Sequence, residues 1–268
     1  MHIVERGRGA PLVVIPGIQG RWEYVRPTVE ALAAFFHVIT FSLGDEPTAR
    51  WALDPSRGMD AFADQVEAAL DSRGIRTAPI CGVSFGGLIA LRFAARDPDR
   101  ASAVIMASTP GPTWRLKRRH ELYTRLPRLL GPLFFAESPW RLKRELAATL
   151  PDRGARLRFA RLYVRTAIEA PLSVSRMAAR ARLVSSHDRE ADAASLSCPT
   201  LIIHGEPLLD HVVDAGGTLD YVPLIRGARA EVLEGTGHLG SLIRPQEFAA
   251  LLRRFLTVAL VGKSDSAA

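Results

Sequence analysis

Short apolar runs alternate with amphipathic segments over the first part of the chain. The runs have the length and composition of buried strands, and the segments between them repeat apolar residues at helical spacing. After a short edge strand at 3–5, the predicted strands are 11–15, 38–41, 79–83 and 101–107, and the predicted helices are 28–35, 60–72 and 85–95. This alternation predicts a mainly parallel sheet with helices on both faces.

The alternation stops at residues 111–190, where the pattern shows no strand. Predicted helices there are 121–130, 139–150, 155–169 and 173–185. Strands resume at 199–204 and 230–233, with a short helix at 219–225 and a closing helix at 245–256. We expect an α/β fold with a doubly wound, mainly parallel sheet of about seven strands. Its core is 1–110 with 191–260, its inserted helical lid is 111–190, and its disordered tail is 261–268.

A serine between two glycines lies where the strand 79–83 meets the helix 85–95. The sequence there is Gly82-Val83-Ser84-Phe85-Gly86. A serine held between a strand end and a helix start takes a strained backbone conformation, and the glycines let strand and helix approach closely. The hydroxyl would then project at the carboxyl edge of the sheet. We predict that Ser84 is a nucleophile; a glycine-rich structural turn is the alternative.

Such a serine needs a base, which a histidine oriented by a carboxylate provides. Loops after the strands 199–204 and 230–233 open on the same sheet edge. His238 has the best position of the seven histidines, in a glycine-flanked loop between a strand and a helix. Asp210 is the predicted carboxylate. Glu206 is the alternative acid, which Pro207 turns aside.

Ester cleavage also needs hydrogen-bond donors for the oxyanion. The backbone N–H of Phe85, at the start of the helix, is one predicted donor, and that of Ile18, in the glycine-rich loop after the strand 11–15, is the other. Aromatic residues of the segment 111–190 would roof an apolar pocket or form the core of the lid. The residues predicted to bind substrate are Gly17, Gln19, Trp114, Phe134 and Leu239.

The net charge of +7 is concentrated in one segment. Residues 111–190 hold 18 Lys and Arg against 7 Asp and Glu. The excess either attracts anionic substrates or an anionic membrane surface, or it only solvates outer helix faces, which we favour. Nucleic-acid binding is not expected, because no reader motif or dense aromatic platform is present.

The remaining composition is typical of a soluble globular protein, with 47% apolar and 24% charged residues. Both cysteines, Cys81 and Cys198, lie in or beside apolar runs, so we expect buried thiols in a reducing compartment. No signal peptide or membrane-spanning run is found, and we expect a cytoplasmic location. The sequence implies no metal site and no cofactor. It leaves open a homodimer.

The order of serine, acid and histidine, each at a strand end, resembles the α/β-hydrolase fold superfamily over residues 2–256. The chain looks most like the esterases and C–C bond hydrolases whose helical lid follows the strand ASAVIMA. The resemblance implies the roles given above for Ser84, Asp210 and His238. Three features depart from it. Pro16-Gly17 replaces the usual His-Gly, and Leu208 occupies the usual acid position. We also expect the first antiparallel strand of the family to be missing.

The expected activity is cleavage of a small acyl or aryl carboxylic ester through an acyl-enzyme, without a metal or cofactor. One alternative is a C–C bond hydrolase acting on ring-cleavage products that resemble β-diketones. The other is a non-catalytic protein that binds a small ligand on the same scaffold.

Overall fold

The computed structural model describes residues 1–150, 152–213 and 215–264. Within these residues, seven strands form one sheet in the order β1-β3-β2-β4-β5-β6-β7. They are β1 Ile3–Arg6, β2 Pro11–Ile15, β3 His37–Phe41, β4 Ala78–Val83, β5 Ala101–Ala107, β6 Thr200–His204 and β7 Arg229–Val232. β1 is antiparallel to β3, and the other neighbouring strands are parallel. The predicted fold class is confirmed.

Alternate residues of the central strands enter two hydrophobic cores, one on each face of the sheet. In β2, Val13 and Ile15 belong to one core, and Leu12 and Val14 belong to the other. The first face is covered by α2 (Met59–Asp71) and α3 (Phe85–Arg96), the second by α1 (Arg26–Leu32) and α13 (Pro245–Ser264). A strand buried on both faces has no polar side, which explains the continuous apolar runs.

Most of the segment 111–190, called here the insertion, is helical. Between β5 and β6 the described residues form α4 Arg118–Arg125, α5 Pro127–Ala136, α6 Ser138–Thr149, α7 Arg153–Glu169, α8 Val174–Ser186 and α9 Arg189–Ser195. The single helix predicted at 121–130 is wrong, because the chain leaves the helical region at Leu126 (φ −123°, ψ 56°). The following Pro127 disfavours helical geometry at that residue.

Several arginines of the insertion are hydrogen-bonded to backbone carbonyl groups. Arg141, Arg156 and Arg182 donate to carbonyls in or directly after the last turns of α5, α6 and α4. The buried Arg189 donates to the carbonyls of Pro112 and Trp114. Carbonyls at helix ends have no partner within the helix, and arginine side chains satisfy them. Part of the basic excess therefore stabilises helix ends.

The remaining helices are short, apart from the last. They are α10 Ala215–Leu219, α11 Tyr221–Leu224 and α12 Gly240–Ile243, with 3₁₀ turns at Trp22–Val25, Pro47–Ala49 and Pro55–Arg57. Because α13 continues to Ser264, residues 261–264 are helical and not the start of a disordered tail. The rest of that predicted tail, 265–268, lies outside the described residues. Of the helices in the described ranges, none has the length and apolarity needed to cross a membrane.

Candidate active site

Ser84 lies in the turn between β4 and α3 and has a strained backbone. Its φ of 54° and ψ of −117° lie outside the regions that residues with a side chain favour, at a cost of about 1–3 kcal/mol. Its N–H donates to the Ala107 carbonyl at the end of β5 over 2.7 Å. Within residues 78–91, Ser84 is the one residue that is not buried. The turn therefore presents this serine at the carboxyl edge of the sheet.

The glycines on either side of Ser84 are required by backbone contacts. A Cβ on Gly82 would overlap the carbonyl group of Gly86. A Cβ on Gly86 would overlap the Ile15 carbonyl at the end of β2. Since no side-chain adjustment relieves a clash with backbone, neither position accepts a larger residue. The predicted close approach of strand and helix is confirmed.

Backbone hydrogen bonds join the ends of β4, β5, β6 and β7 into one continuous edge. Beyond the Ser84 contact, they run from Ser108 N–H to the Ile203 carbonyl at 2.8 Å, from Leu233 N–H to the His204 carbonyl at 2.8 Å, and from Glu206 N–H to the Thr236 carbonyl at 2.7 Å. The loops that carry Ser84, Asp210 and His238 therefore open on the same edge, as parallel strands require.

Asp210 and His238 contact each other directly. Asp210 Oδ2 lies 3.3 Å from His238 Nδ1, and the two side chains are 1% and 12% exposed. Asp210 Oδ1 accepts the backbone N–H groups of Val212 and Val213 at 2.9 and 3.0 Å, which fixes the carboxylate. When Asp210 accepts a hydrogen bond from Nδ1–H, the unprotonated Nε2 of His238 is left to accept a proton.

The alternative acid, Glu206, has a different partner. Its Oε1 accepts the backbone N–H of Gly235 at 2.6 Å. Leu208, which occupies the usual acid position, is 82% exposed. The Asp210 N–H donates to the Glu206 carbonyl over 3.1 Å, and this turn brings the acid back towards the histidine. Of the two acids, the structure therefore brings Asp210 to His238.

The ionisable groups of this cluster shift one another's pKa values. Burial raises the pKa of Asp210, but the charge of His238, its hydrogen bond and the two backbone N–H groups bring the pKa below its usual value. Burial lowers the pKa of His238, but the charge and hydrogen bond of Asp210, with the charge of Glu145, raise it above its usual value. His238 is therefore a stronger base than a free imidazole.

Glu145 of α6 reaches this cluster from the insertion. The residue is 1% exposed, and its Oε1 accepts the backbone N–H groups of Gly237 at 2.9 Å and Leu239 at 2.6 Å. Burial raises the pKa of Glu145, although those N–H groups and the His238 charge favour its ionised form. Sequence reasoning missed it, because an acid within the basic run 141–145 is typical of a solvated helix face.

The loop after β2 lies beside Ser84, as predicted. A Cβ on Gly17 would lie 3.4 Å from the Ser84 Cβ and 3.1 Å from Gln19 Oε1. The Gln19 side chain is hydrogen-bonded to Tyr163 of α7, a phenol whose pKa is raised by burial. The structure therefore brings Gly17, Gln19 and Ser84 together, and the insertion contacts this loop through Tyr163.

Arg180 of α8 holds the same loop and was also missed by sequence reasoning. Its side chain is fully buried, and Nη1 donates to the Ile18 carbonyl over 2.8 Å. Nη2 donates to Asp45 at 2.5 Å and to Glu46 at 2.6 Å. Gly20, with φ 74°, lies against the guanidinium where a Cβ would overlap it. The one sequence feature that pointed to Arg180 was its place in the basic segment 111–190.

Over the ranges that the structure describes, neither the backbone N–H of Phe85 nor that of Ile18 donates a hydrogen bond. Phe85 is the first residue of α3, where N–H groups lack intrahelical acceptors. Unpaired donors beside a nucleophile are what an oxyanion requires. Both residues stay predicted donors.

The other residues predicted to bind substrate have varied surroundings. Trp114 is partly buried against the hydrophobic core to which α2 and α3 contribute. Phe134 packs within the insertion, with ring centroids 5.7 Å from those of Tyr123 and Phe135. Leu239 is buried directly after His238. Their roles in substrate binding stay predictions.

Comparison with known proteins finds similar hydrolases over nearly the whole chain. The chain is 25% identical to the 2-hydroxymuconate semialdehyde hydrolase of Pseudomonas sp. (strain CF600), over 96% of this chain and 90% of that protein. It is 28% identical to the pimeloyl-[acyl-carrier protein] methyl ester esterase of Stenotrophomonas maltophilia (strain K279a), over 99% of both.

The crystal structure of the enol-lactonase from Burkholderia xenovorans LB400 matches this fold with a TM-score of 0.76 at 21% identity, over 96% of both chains. Residues 10–245 match the family model of the alpha/beta hydrolase fold. Since that match covers most of the sheet, the insertion and the loops around Ser84, the chain belongs to the alpha/beta hydrolase fold family.

Proposed function

We propose that this protein is a serine hydrolase that cleaves a small acyl or aryl carboxylic ester through an acyl-enzyme. The observation that carries the proposal is the Asp210–His238 pair on the same sheet edge as the strained, accessible Ser84. Two of the similar proteins add support. One is named a methyl ester esterase, and the other is an enol-lactonase, whose name refers to a cyclic ester.

In this proposal, Ser84 Oγ attacks the ester carbonyl carbon while His238 Nε2 takes the hydroxyl proton. The carbon–oxygen bond to the leaving group breaks as the tetrahedral intermediate collapses, and the imidazolium gives its proton to the leaving alkoxide. Water then attacks the acyl-enzyme by the same route, which releases the carboxylic acid and restores Ser84. Asp210 stabilises the imidazolium in both steps.

The developing oxyanion would be bound by the N–H groups of Phe85 and Ile18. Each such donor typically contributes about 10²–10³-fold to the rate. The hydrogen bond from Arg180 to the Ile18 carbonyl supports this assignment, because it restrains the backbone of the donor loop. Gly17, Gln19 and Leu239 would contact the substrate near the reacting carbon, with Trp114 and Phe134 farther away.

A C–C bond hydrolase is the second candidate. It is favoured by the similarity, over nearly the whole chain, to a protein named 2-hydroxymuconate semialdehyde hydrolase. The same three side chains would serve that reaction, so the substrate and not the triad separates the two candidates.

Labelling with a fluorophosphonate, followed by burst kinetics on 4-nitrophenyl esters of increasing acyl length, tests the proposal. We expect labelling and a burst in the natural protein, and a loss of at least about 10⁴-fold in Ser84→Ala. Ser108→Ala is the matched control, because Ser108 also has a positive φ at the end of a strand on this edge.

Absence of both labelling and burst would reject the serine hydrolase. A C–C substrate assayed beside the esters decides between the two activities. Tight binding of a small ligand without turnover would instead favour the non-catalytic alternative.

A further inference from the structure

We propose that Glu145 is a positioning residue for the base: from the insertion, its carboxylate holds the backbone on both sides of His238 and presents a second negative charge to the imidazole. This inference rests on the proposed function, because it takes His238 as the base. Asp210 contacts the ring itself, whereas Glu145 acts through the chain that carries the ring.

One face of α6 docks onto the loop between β7 and α12. Glu145 and Thr149 are four residues apart, so they lie on the same side of the helix. Thr149 Oγ1 donates to the Gly235 carbonyl over 2.8 Å, and Glu145 accepts the N–H groups of Gly237 and Leu239. The helix thus binds three alternate residues of the loop, and His238 lies between the two that Glu145 binds.

The packing around Gly237 leaves no room for a side chain. A Cβ there would lie 2.6 Å from the Leu209 carbonyl oxygen and 2.9 Å from Glu145 Cδ. The loop between β7 and α12, called here the base loop because it carries His238, is therefore held between α6 on one side and the loop that carries Asp210 on the other. A shift of the Glu145 carboxylate would be transmitted to His238 and change its distance from Asp210.

The charge of Glu145 is not needed for docking. Thr149 makes its contact with the same loop through a neutral hydroxyl, and a neutral amide oxygen would accept the same two N–H groups. A buried carboxylate costs free energy unless hydrogen bonds and nearby charges compensate it. The compensation here includes the charge of His238, so each of the two groups favours the ionised form of the other.

Two charged groups act on His238 in the described part of the chain, Asp210 from the loop after β6 and Glu145 from α6. Glu145 itself is affected by His238, by Asp210 and by the backbone N–H groups. Glu145→Gln keeps an oxygen acceptor and removes the charge. Glu145→Leu removes both, so the two variants separate position from electrostatics.

The first test is a histidine NMR titration in the Ser84→Ala background, which needs no turnover. The His238 signal is identified by its absence in His238→Gln. We expect the pKa of His238 to fall in Glu145→Gln and to stay unchanged in Thr149→Val, the matched control that loses a neutral docking contact. An unchanged pKa in Glu145→Gln would overturn the proposal.

The second test is the pH dependence of kcat/KM with an active ester. We expect Glu145→Gln to move the acid limb to lower pH with kcat retained within about threefold. Glu145→Leu should lower kcat about 10–100-fold with little change in KM, because the base is displaced while the substrate pocket remains. Glu169→Gln, which removes another acid of the insertion that contacts the core at Arg26, should leave the profile unchanged.

The outcomes separate the two proposals. A natural protein that is neither labelled nor active rejects the serine hydrolase, and the NMR titration still tests the effect of Glu145. Equal losses of activity in Glu145→Gln and Thr149→Val, without a change in the His238 profile, would mean that α6 only docks. If Glu145→Leu does not fold, Glu145→Gln and the titration decide.

Discussion

The sheet edge and the insertion contribute to the same site by different physical means. The edge is held by backbone hydrogen bonds between strand ends and by glycines that touch backbone, as at Gly82 and Gly86. The insertion contacts the site through two buried charges of opposite sign, Glu145 on the base loop and Arg180 on the loop after β2. The core thus carries Ser84, Asp210 and His238, the proposed reacting groups, while the insertion is hydrogen-bonded to the loops after β2 and β7. Substitutions at the edge should act through steric overlap, and those of Glu145 and Arg180 through lost charge and lost hydrogen bonds.

The largest expected effect is that of Gly86→Ala. Its Cβ would overlap the Ile15 carbonyl, and backbone cannot move aside without separating β2 from α3. We expect a loss of stability above about 3 kcal/mol in urea unfolding, with loss of fluorophosphonate labelling.

Gly74→Ala is the control for this substitution, since Gly74 has a positive φ of 62° but no atom within 4 Å of the added Cβ. It should cost about 1 kcal/mol. Equal losses in the two variants would show that the overlap at Gly86 is relieved by relaxation.

The next effect is that of Arg180→Met, which leaves the carboxylates of Asp45 and Glu46 without their buried partner. Such an unpaired buried charge typically costs about 3–5 kcal/mol. Arg176→Met on the same helix removes a partner of the same Glu46, but Arg176 is 37% exposed, so we expect less than about 1 kcal/mol. Thermal unfolding of both variants measures the difference. Similar losses would contradict the distinction between buried and exposed charges.

The third effect concerns pH. Base catalysis needs neutral His238, and its pKa is raised, so kcat/KM should rise about tenfold per pH unit until the pH exceeds a value above the ordinary 6.5. The raised pKa also means that the imidazolium stabilises the fold below 6.5 and that this contribution is lost as the pH rises through the native pKa.

The contribution of Asp210 to stability depends on pH in the opposite direction. Its lowered pKa stabilises the fold above the ordinary 3.8, and this is lost as the pH falls through the native value. Rate profiles and urea unfolding across this range measure both. A kcat/KM profile with its midpoint below 6.5 would contradict the raised pKa of His238.

The smallest effect is expected for Arg165→Ala on the outer face of α7. Arg165 is 73% exposed and pairs with Glu169 within the same helix. Exposed pairs of this kind are screened by solvent and contribute little. We expect no measurable change in the unfolding midpoint or in kcat/KM. A clear loss would show that the exposed charges of the insertion also support the site.

The strands and the Ser84 turn could be predicted because their signals are local. A buried strand such as 11–15 is apolar along its whole length, and Gly82 and Gly86 flank Ser84 within five residues of sequence. The segment 121–130, predicted as one helix, is divided for an equally local reason, because Pro127 disfavours helical geometry at Leu126. The polar sequence at 261–264 predicted disorder, but these residues continue the helix that precedes them.

The choice between Asp210 and Glu206 shows where local signals end. Both acids follow β6, and the sequence favoured Asp210 through the stiffness of Pro207 and through the resemblance to the α/β-hydrolase fold superfamily. The structure distinguishes them by their partners, the His238 ring for one and the Gly235 N–H for the other. Those partners are more than 20 residues away in the chain, so only the packed loops identify them.

The sequence by itself determined the alternation of strands and helices, and with it the sheet edge on which Ser84, Asp210 and His238 would lie. Periodicity and glycine spacing carry that information, because they act between residues close in the chain. Only the tertiary structure decided which charges of the insertion are buried. Glu145 and Arg180 belong to the same basic helices as many solvated residues. What makes them different is the set of partners that each meets across the fold. Glu145 accepts two backbone N–H groups beside His238, and Arg180 donates to the Ile18 carbonyl and to two carboxylates.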